Sequence, residues 1–296
     1  MTGFLRGSAT AMITPFNESG VDLEAFGEMM EYQIAGGTRA LIVLGTTGEP
    51  ATMSEEEKEA LIRYAVKKAA GRVKVVIGTG SNNTQKAVEG TIRAEKLGAD
   101  GILAVTPYYN KCTQNGLVAY YKAIAEATKL PVICYNVPGR TGVNILPETM
   151  AKIAEIPNIA GIKEASGNMA QVLETARLIR GKCDLYSGED ALNMPILAAG
   201  GTAVISVVSN IAPAGVKELC DAVLAGDLKR ANECNDKLIP LSKACFIEVN
   251  PIPAKAGMNA LGFHAGIPRA PLSEIEEPHR AVLLKAMKEF GLEVKA

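Results

Sequence analysis

Short apolar runs and amphipathic stretches alternate along the first three quarters of the chain. Runs rich in Val, Ile and Ala recur at 8–14, 40–44, 73–77, 101–105, 131–136, 159–165, 183–187 and 202–208. They are apolar nearly throughout instead of alternating, the pattern of strands covered on both faces of a parallel sheet. Between them the apolar positions take the helical period. Ser54 and Glu57 form a capping box ahead of the stripe Leu61, Tyr64, Ala65 and Ala69, with Gly71 as a stop. Thr84 opens a second such segment, striped by Ala87, Thr91, Ala94 and Leu97 and closed by Gly98. Residues 168–180 repeat the pattern through Met169, Val172, Ala176 and Ile179, closing at Gly181. The unit is a strand followed by a helix, repeated about eight times.

Eight such units, at roughly 25 to 35 residues each, reach the ~250-residue scale of a (β/α)8 TIM barrel. The competing α/β arrangement, a doubly wound open sheet, usually has fewer strands and a Gly-rich first turn, whereas here the first strand leads into Pro15, Phe16 and Asn17. After residue 226 the strand-like runs stop and helical stretches follow at 227–247, 254–261 and 278–290. The expected organisation is a catalytic barrel over 1–226 and a C-terminal helical domain over 227–296. A domain of ~70 residues has little core of its own, so it is expected to pack on the barrel or on a partner.

Charge and composition narrow the function. Across 296 residues, 31 Lys+Arg stand against 32 Asp+Glu, a formal net charge of −1. That balance gives no basic footprint for nucleic acid and no polybasic strip for anionic lipid. A hydrophobic fraction of 48% excludes disorder. No apolar run approaches the ~18 to 20 residues of a membrane helix, and no secretory h-region follows the early cation Arg6. The expectation is a cytoplasmic protein that binds neither membrane nor nucleic acid. The six cysteines are scattered without a C-x-x-C pair, and Cys134 reads as a small buried hydrophobe. With only His264 and His279 available, neither a His-rich metal site nor a Ser-His-Asp triad is expected. Chemistry then falls to Lys, Tyr, Thr, Arg or carboxylates.

A barrel builds its active site at the C-terminal ends of its strands. Lys163 stands there, interrupting the apolar run Ile159-Ala160-Gly161-Ile162. A lysine aimed into a barrel loses hydration, which favours the neutral amine that a Schiff-base nucleophile must be. Position alone leaves two readings: such a nucleophile, or a rim lysine paired with Glu164 or Glu189. Tyr135, one strand away, is either a packing aromatic or the phenol that carries protons to and from a carbinolamine. Thr46 and Thr47 lie between glycines, in a plain turn or in one whose hydroxyls and amides relay protons or hold a carboxylate. Arg140 follows Pro138-Gly139, placed either for a bidentate grip on a substrate carboxylate or in solvent. Gly78-Thr79-Gly80 lacks the Gly and Lys spacing of a phosphate loop.

Taken together, Gly45-Thr46-Thr47-Gly48-Glu49, Thr106-Pro107-Tyr108-Tyr109-Asn110, Tyr135-Asn136-Val137-Pro138 with Arg140-Thr141-Gly142, Gly161-Ile162-Lys163-Glu164-Ala165, Gly188-Glu189-Asp190 and Asn250-Pro251-Ile252-Pro253 resemble the dihydrodipicolinate synthase family over essentially the whole chain. The resemblance implies condensation of pyruvate with aspartate 4-semialdehyde, with no cofactor beyond a covalent imine between Lys163 and pyruvate. It implies that Tyr135 carries protons in a relay with Thr47 and Tyr109, the last reaching in from a neighbouring subunit of a homotetramer built as a dimer of dimers. Thr46 and Thr47 would contact substrate, Arg140 would hold the semialdehyde carboxylate, and Gly188 and the Ile205 carbonyl would line the pyruvate end. Lysine-dependent aldolases of sugar acids and of N-acetylneuraminate share the lysine and tyrosine; the doubled threonine and Arg140 favour the synthase. The chain departs from lysine-inhibited members at Glu55, Lys58 and Lys86, while Asn82 and Tyr108 remain. A cation at 86 repels an ammonium ligand, so weak or absent inhibition by lysine is expected.

Overall fold

In the computed structural model, which describes residues 2–295, eight parallel strands close into a barrel. They are β1 (Gly7–Ala11), β2 (Ala40–Val43), β3 (Lys74–Gly78), β4 (Gly101–Val105), β5 (Val132–Asn136), β6 (Ile159–Glu164), β7 (Asp184–Ser187) and β8 (Ala203–Ser206). Each pairs with the next in sequence and β8 closes on β1, with Ser8 opposite Val204 and Ala9 opposite Ile205. Every residue of these strands is buried except Lys74, Gly78 and Val105. Side chains facing inward fill the barrel and those facing outward meet the helices, which is why the runs do not alternate.

Helices α1 (Leu23–Ala35), α2 (Glu55–Ala69), α3 (Thr84–Lys96), α4 (Gln114–Glu126), α5 (Pro147–Ile153), α6 (Met169–Ile179), α7 (Asn193–Ala198) and α8 (Pro213–Leu224) follow the strands in turn. The capping box of α2 is present: the Ser54 N–H donates to Glu57 Oε2 at 2.9 Å and the Glu57 N–H to Ser54 Oγ at 3.2 Å. Helix α3 opens at Thr84 as expected, and the preceding Asn83 caps it by accepting the Lys86 N–H at 3.2 Å. Two strands of two residues each, Phe16–Asn17 and Gly20–Val21, are too short to leave a periodic signal.

The N-terminal end of the barrel is plugged. Asp184 Oδ2 accepts the N–H groups of Gly3 and Phe4 at 2.7 and 3.2 Å and the Tyr186 hydroxyl at 3.0 Å. A Cβ on Gly101 would stand 2.6 Å from Phe4 Cζ, and one on Gly161 2.5 Å from the Asp184 carbonyl oxygen and 2.6 Å from Tyr186 Cε2. Glycine at these strand positions therefore admits aromatic rings to the interior, leaving the opposite end for chemistry.

After residue 226 come α9 (Leu228–Cys245), α10 (Ile252–Ala260) and α11 (Glu277–Phe290). Helix α9 buries Ala231, Cys234, Leu238, Leu241 and Cys245, one stripe at helical spacing, and packs on α8 and α11. Among the described residues no helix is long and apolar enough to cross a membrane. Replacing Gly161 by Ala is expected to destabilise the protein by about 1–3 kcal/mol through overpacking. The measurement is the urea midpoint; an unchanged midpoint would contradict the close approach of Tyr186 and Asp184.

Candidate active site

Tyr135 and Lys163 are register partners on β5 and β6, so their side chains leave the same face of the sheet. The Lys163 Nζ stands 4.1 Å from the centroid of the Tyr135 ring, and the residues are 5% and 6% exposed. Glu164, the next residue, points to the opposite face. There its carboxylate accepts the Asn136 side-chain amide at 3.1 Å and the Ser166 N–H at 2.7 Å. Burial raises the Glu164 carboxyl above the ordinary carboxylate range, with those two donors opposing. Strand geometry thus rules out a Lys163–Glu164 pair. Glu189 is also raised, first by burial and then by adjacent Asp190, while Lys163 acts on it in the opposite direction. It lies within electrostatic reach of the amine, yet Lys163 forms no ion pair among the described residues, in contrast to Lys255.

Gly188 gives the amine its room. A Cβ at this position would stand 2.8 Å from both Cγ and Cε of Lys163. Two residues on, the carboxylate of Asp190 accepts the Ser206 hydroxyl, the N–H groups of Val207 and Val208 at 2.8 and 3.2 Å, and the Asn193 amide at 3.0 Å. It thereby seats the turn that follows Ile205, which is 1% exposed at the end of β8. Neither the steric role of Gly188 nor the seat formed by Asp190 was visible in the spacing, although both residues stand in the Gly188-Glu189-Asp190 motif.

The Thr46–Gly48 segment is a single 3-10 turn that ends in Glu49, whose backbone is left-handed at φ 55°. Gly48 donates its N–H to the Gly45 carbonyl at 2.8 Å, and Thr14 donates its hydroxyl to the Gly48 carbonyl at 2.7 Å. Thr47 is 2% exposed, and its hydroxyl oxygen accepts the Asn250 side-chain amide at 2.9 Å, which leaves the Thr47 proton free to be donated. Thr46 beside it is half-buried. Arg140, exposed in the short helical turn Pro138–Thr141, donates from Nη2 to the Asn250 carbonyl at 3.2 Å. Asn250, a residue of the C-terminal part of the chain, therefore joins Thr47 to Arg140. Gly78 and Gly80 have a packing role: a Cβ on them would lie 2.0 Å from the Leu44 carbonyl oxygen and 2.3 Å from the Val105 nitrogen.

Tyr109 is not brought to Lys163 within its own chain. Its backbone is left-handed at φ 70° and its ring is 92% exposed on the loop after β4. Sequence reasoning also missed a buried ion pair beside the Thr47 turn. Lys255 of α10 and Glu49 meet at 2.7 Å with side chains 1% and 2% exposed. Burial lowers the Lys255 ammonium below the ordinary lysine range, and Glu49 opposes the shift. The available signal was a lone charge between Ala254 and Ala256 in a helix that carries no other charged residue. Cys134 packs as expected, fully buried, and burial pushes its thiol well above the usual range. Among the described residues no group of three or more His, Cys, Asp or Glu is placed to hold a metal ion. Cavities of about 290 Å³ beside Tyr32 and Phe290, and about 460 Å³ beside Arg39 and Lys217, lie away from these residues.

Comparison with known proteins adds a family. The model of the dihydrodipicolinate synthetase family matches residues 4–290. A 4-hydroxy-tetrahydrodipicolinate synthase of Alkaliphilus oremlandii is 51% identical over 287 residues, covering 97% of this chain and 99% of the relative. The crystal structure of dihydrodipicolinate synthase from Thermotoga maritima superposes with a TM-score of 0.96 at 46% identity, covering 98% of this chain and 99% of that one. A structure described as the first monomeric dihydrodipicolinate synthase variant does so with the same TM-score and identity, covering 98% of each chain.

Proposed function

The chain belongs to the dihydrodipicolinate synthetase family, and from that membership we propose that it condenses pyruvate with L-aspartate 4-semialdehyde to 4-hydroxy-tetrahydrodipicolinate, the entry step to diaminopimelate and lysine, through an imine on Lys163. The observation that carries the role of Lys163 is its setting: a buried amine with no ion pair among the described residues, lying on the Tyr135 ring in the space left by Gly188. An amine attacks a ketone through its nitrogen lone pair, so a lysine not engaged in an ion pair is placed to act as a Schiff-base nucleophile.

The Lys163 amine adds to C2 of pyruvate to give a carbinolamine. Loss of the former ketone oxygen as water leaves the imine. Removal of a methyl proton gives the enamine, whose carbon attacks the aldehyde carbon, and the aldehyde oxygen becomes a hydroxyl by taking a proton. The substrate amino group then displaces Lys163 from the imine carbon, closing the ring and restoring the free amine. One water leaves per turnover, no electrons are exchanged with an outside acceptor, and no cofactor is required. Tyr135 carries the protons beside Nζ, and Thr47, with its hydroxyl oxygen already occupied by Asn250, passes a proton onward. Thr46 contacts substrate beside it, Gly188 and the Ile205 carbonyl bound the pyruvate end, and Arg140 grips the semialdehyde carboxylate.

Tyr109 completes the relay of a neighbouring subunit, which makes the working unit a dimer within a homotetramer; its exposed ring and left-handed backbone support this reading. Residues 227–296 act as a helical domain attached to the 1–226 barrel, and the enzyme works in the cytoplasm. The charges around Glu55 bear on regulation: Glu55 pairs with Lys58 at 2.7 Å and with Arg93, so the carboxylate offered to an ammonium ligand is already engaged.

Borohydride reduction with pyruvate, followed by peptide mapping, is expected to leave a reduced pyruvyl adduct on Lys163; an adduct elsewhere, or none, would overturn the mechanism. Arg140→Ala is expected to lower kcat/KM for the semialdehyde at least about tenfold, the scale of one charge-assisted contact, while imine trapping is nearly unchanged. Equal losses in both would remove its assigned role, and faster turnover of sugar-derived aldehydes than of the semialdehyde would favour a sugar-acid aldolase. L-lysine in the micromolar range at neutral pH is expected to leave the initial rate unchanged, and strong inhibition there would contradict the charge argument at Glu55 and Lys86.

A further inference from the structure

We propose that the buried Glu49–Lys255 ion pair is a positioning pair: it ties the Thr46–Gly48 turn to helix α10 and, with Asn250, sets where the Thr47 hydroxyl points during proton transfer. The proposal rests on the reaction inferred above. Two attachments leave the same stretch of chain five residues apart, Asn250 and Lys255, and reach two residues of one tight turn, Thr47 and Glu49. The first is an amide donating to a hydroxyl at 2.9 Å, and the second is a charge pair at 2.7 Å, both shielded from water. A turn held at both its middle and its end cannot rotate about either point.

The surroundings of the pair are built for direction. The second carboxylate oxygen of Glu49 accepts the N–H of Arg269 at 2.9 Å, and the Lys255 ammonium also donates to the Ile267 carbonyl at 3.2 Å. The Phe16 ring carries both cations, with Lys255 Nζ at 4.1 Å and Arg269 Cζ at 4.0 Å from its centroid. The Arg269 guanidinium grips Glu57 through bonds of 2.8 and 2.6 Å and donates to the Thr52 carbonyl at 3.0 Å, continuing the clamp along the segment after the turn. Glu49 adopts a left-handed backbone that non-glycine residues rarely take. A buried ion pair gives little net stability over apolar side chains of similar volume, because desolvation of both ions offsets their attraction. Fixed geometry is what the pair supplies and an apolar pair would not.

The test replaces both partners together, Glu49→Leu with Lys255→Met, so that no unpaired charge is left buried. Three properties are compared with the wild type: Tm, borohydride-trapped pyruvate imine, and exchange of the pyruvate methyl protons with deuterated solvent, which requires deprotonation of the imine. The expected result is a Tm within a few degrees and retained imine trapping, with methyl exchange and kcat both down about tenfold or more, as when one proton-transfer partner is misplaced. Wild-type exchange and kcat in the folded double variant would overturn the proposal, as would an equal loss of imine formation. If the double variant does not fold, Glu49→Asp keeps the charge but shortens the tether by one methylene. It is expected to show the same selective loss of exchange, and wild-type exchange in it would overturn the proposal equally. An absence of imine in the wild-type protein would sink the proposed reaction itself.

Discussion

Taking an amine out of water is the constraint around which the top of this barrel is organised. Removing an ammonium from water costs several kcal/mol unless an opposite charge or hydrogen bonds replace the lost hydration. The protein buries two lysines, Lys163 and Lys255, and surrounds them differently. Lys255 receives a carboxylate at 2.7 Å, a carbonyl at 3.2 Å and an aromatic face, which together replace the hydration it loses. Lys163 receives the Tyr135 ring and forms no ion pair among the described residues, and its chain passes through the gap that Gly188 leaves. The first arrangement ties Lys255 to Glu49, whereas the second leaves the Lys163 amine without an ion pair among the described residues.

The parallel barrel makes the second arrangement possible. Register pairing brings Tyr135 beside Lys163 without any local motif, and the parity of β6 sends Glu164 to the helix side, away from the amine it follows in sequence. The floor of Asp184, Tyr186 and Phe4 closes the far end of the barrel, so the site opens only toward the loops. The C-terminal helices complete the site from outside the barrel. Asn250 reaches both Thr47 and Arg140, and Lys255 pairs with the residue after the turn, so a segment without strands contacts three residues of the candidate site.

Much of this was legible in the chain. Eight non-alternating apolar runs give a parallel barrel because nearly every strand residue is buried, and a lysine inside such a run is conspicuous for the same reason. The orientation of Glu164 could also have been read, since neighbours on a strand face opposite ways. Contacts between residues some 200 positions apart could not, because periodicity reports only which face of its own element a residue occupies. The Asn250–Thr47 bond and the Glu49–Lys255 pair belong to that class, and the Asp190 seat, though only 17 residues from Val207, joins a loop to a strand end that periodicity likewise does not relate. Tyr109 shows the same limit from the other side: its place in the motif was evident, and only the fold shows its ring exposed on the surface of its own chain.

The central claim is that covalent chemistry runs through Lys163, and oxygen exchange tests it most directly. Each cycle of imine formation and hydrolysis replaces the ketone oxygen of pyruvate with one from water. The wild-type protein should therefore release ¹⁸O from 2-¹⁸O-labelled pyruvate well above the rate of uncatalysed hydration, and Lys163→Arg should fall to that background. Exchange at the wild-type rate in the Lys163 variant, or none above background in the wild type, would contradict the account.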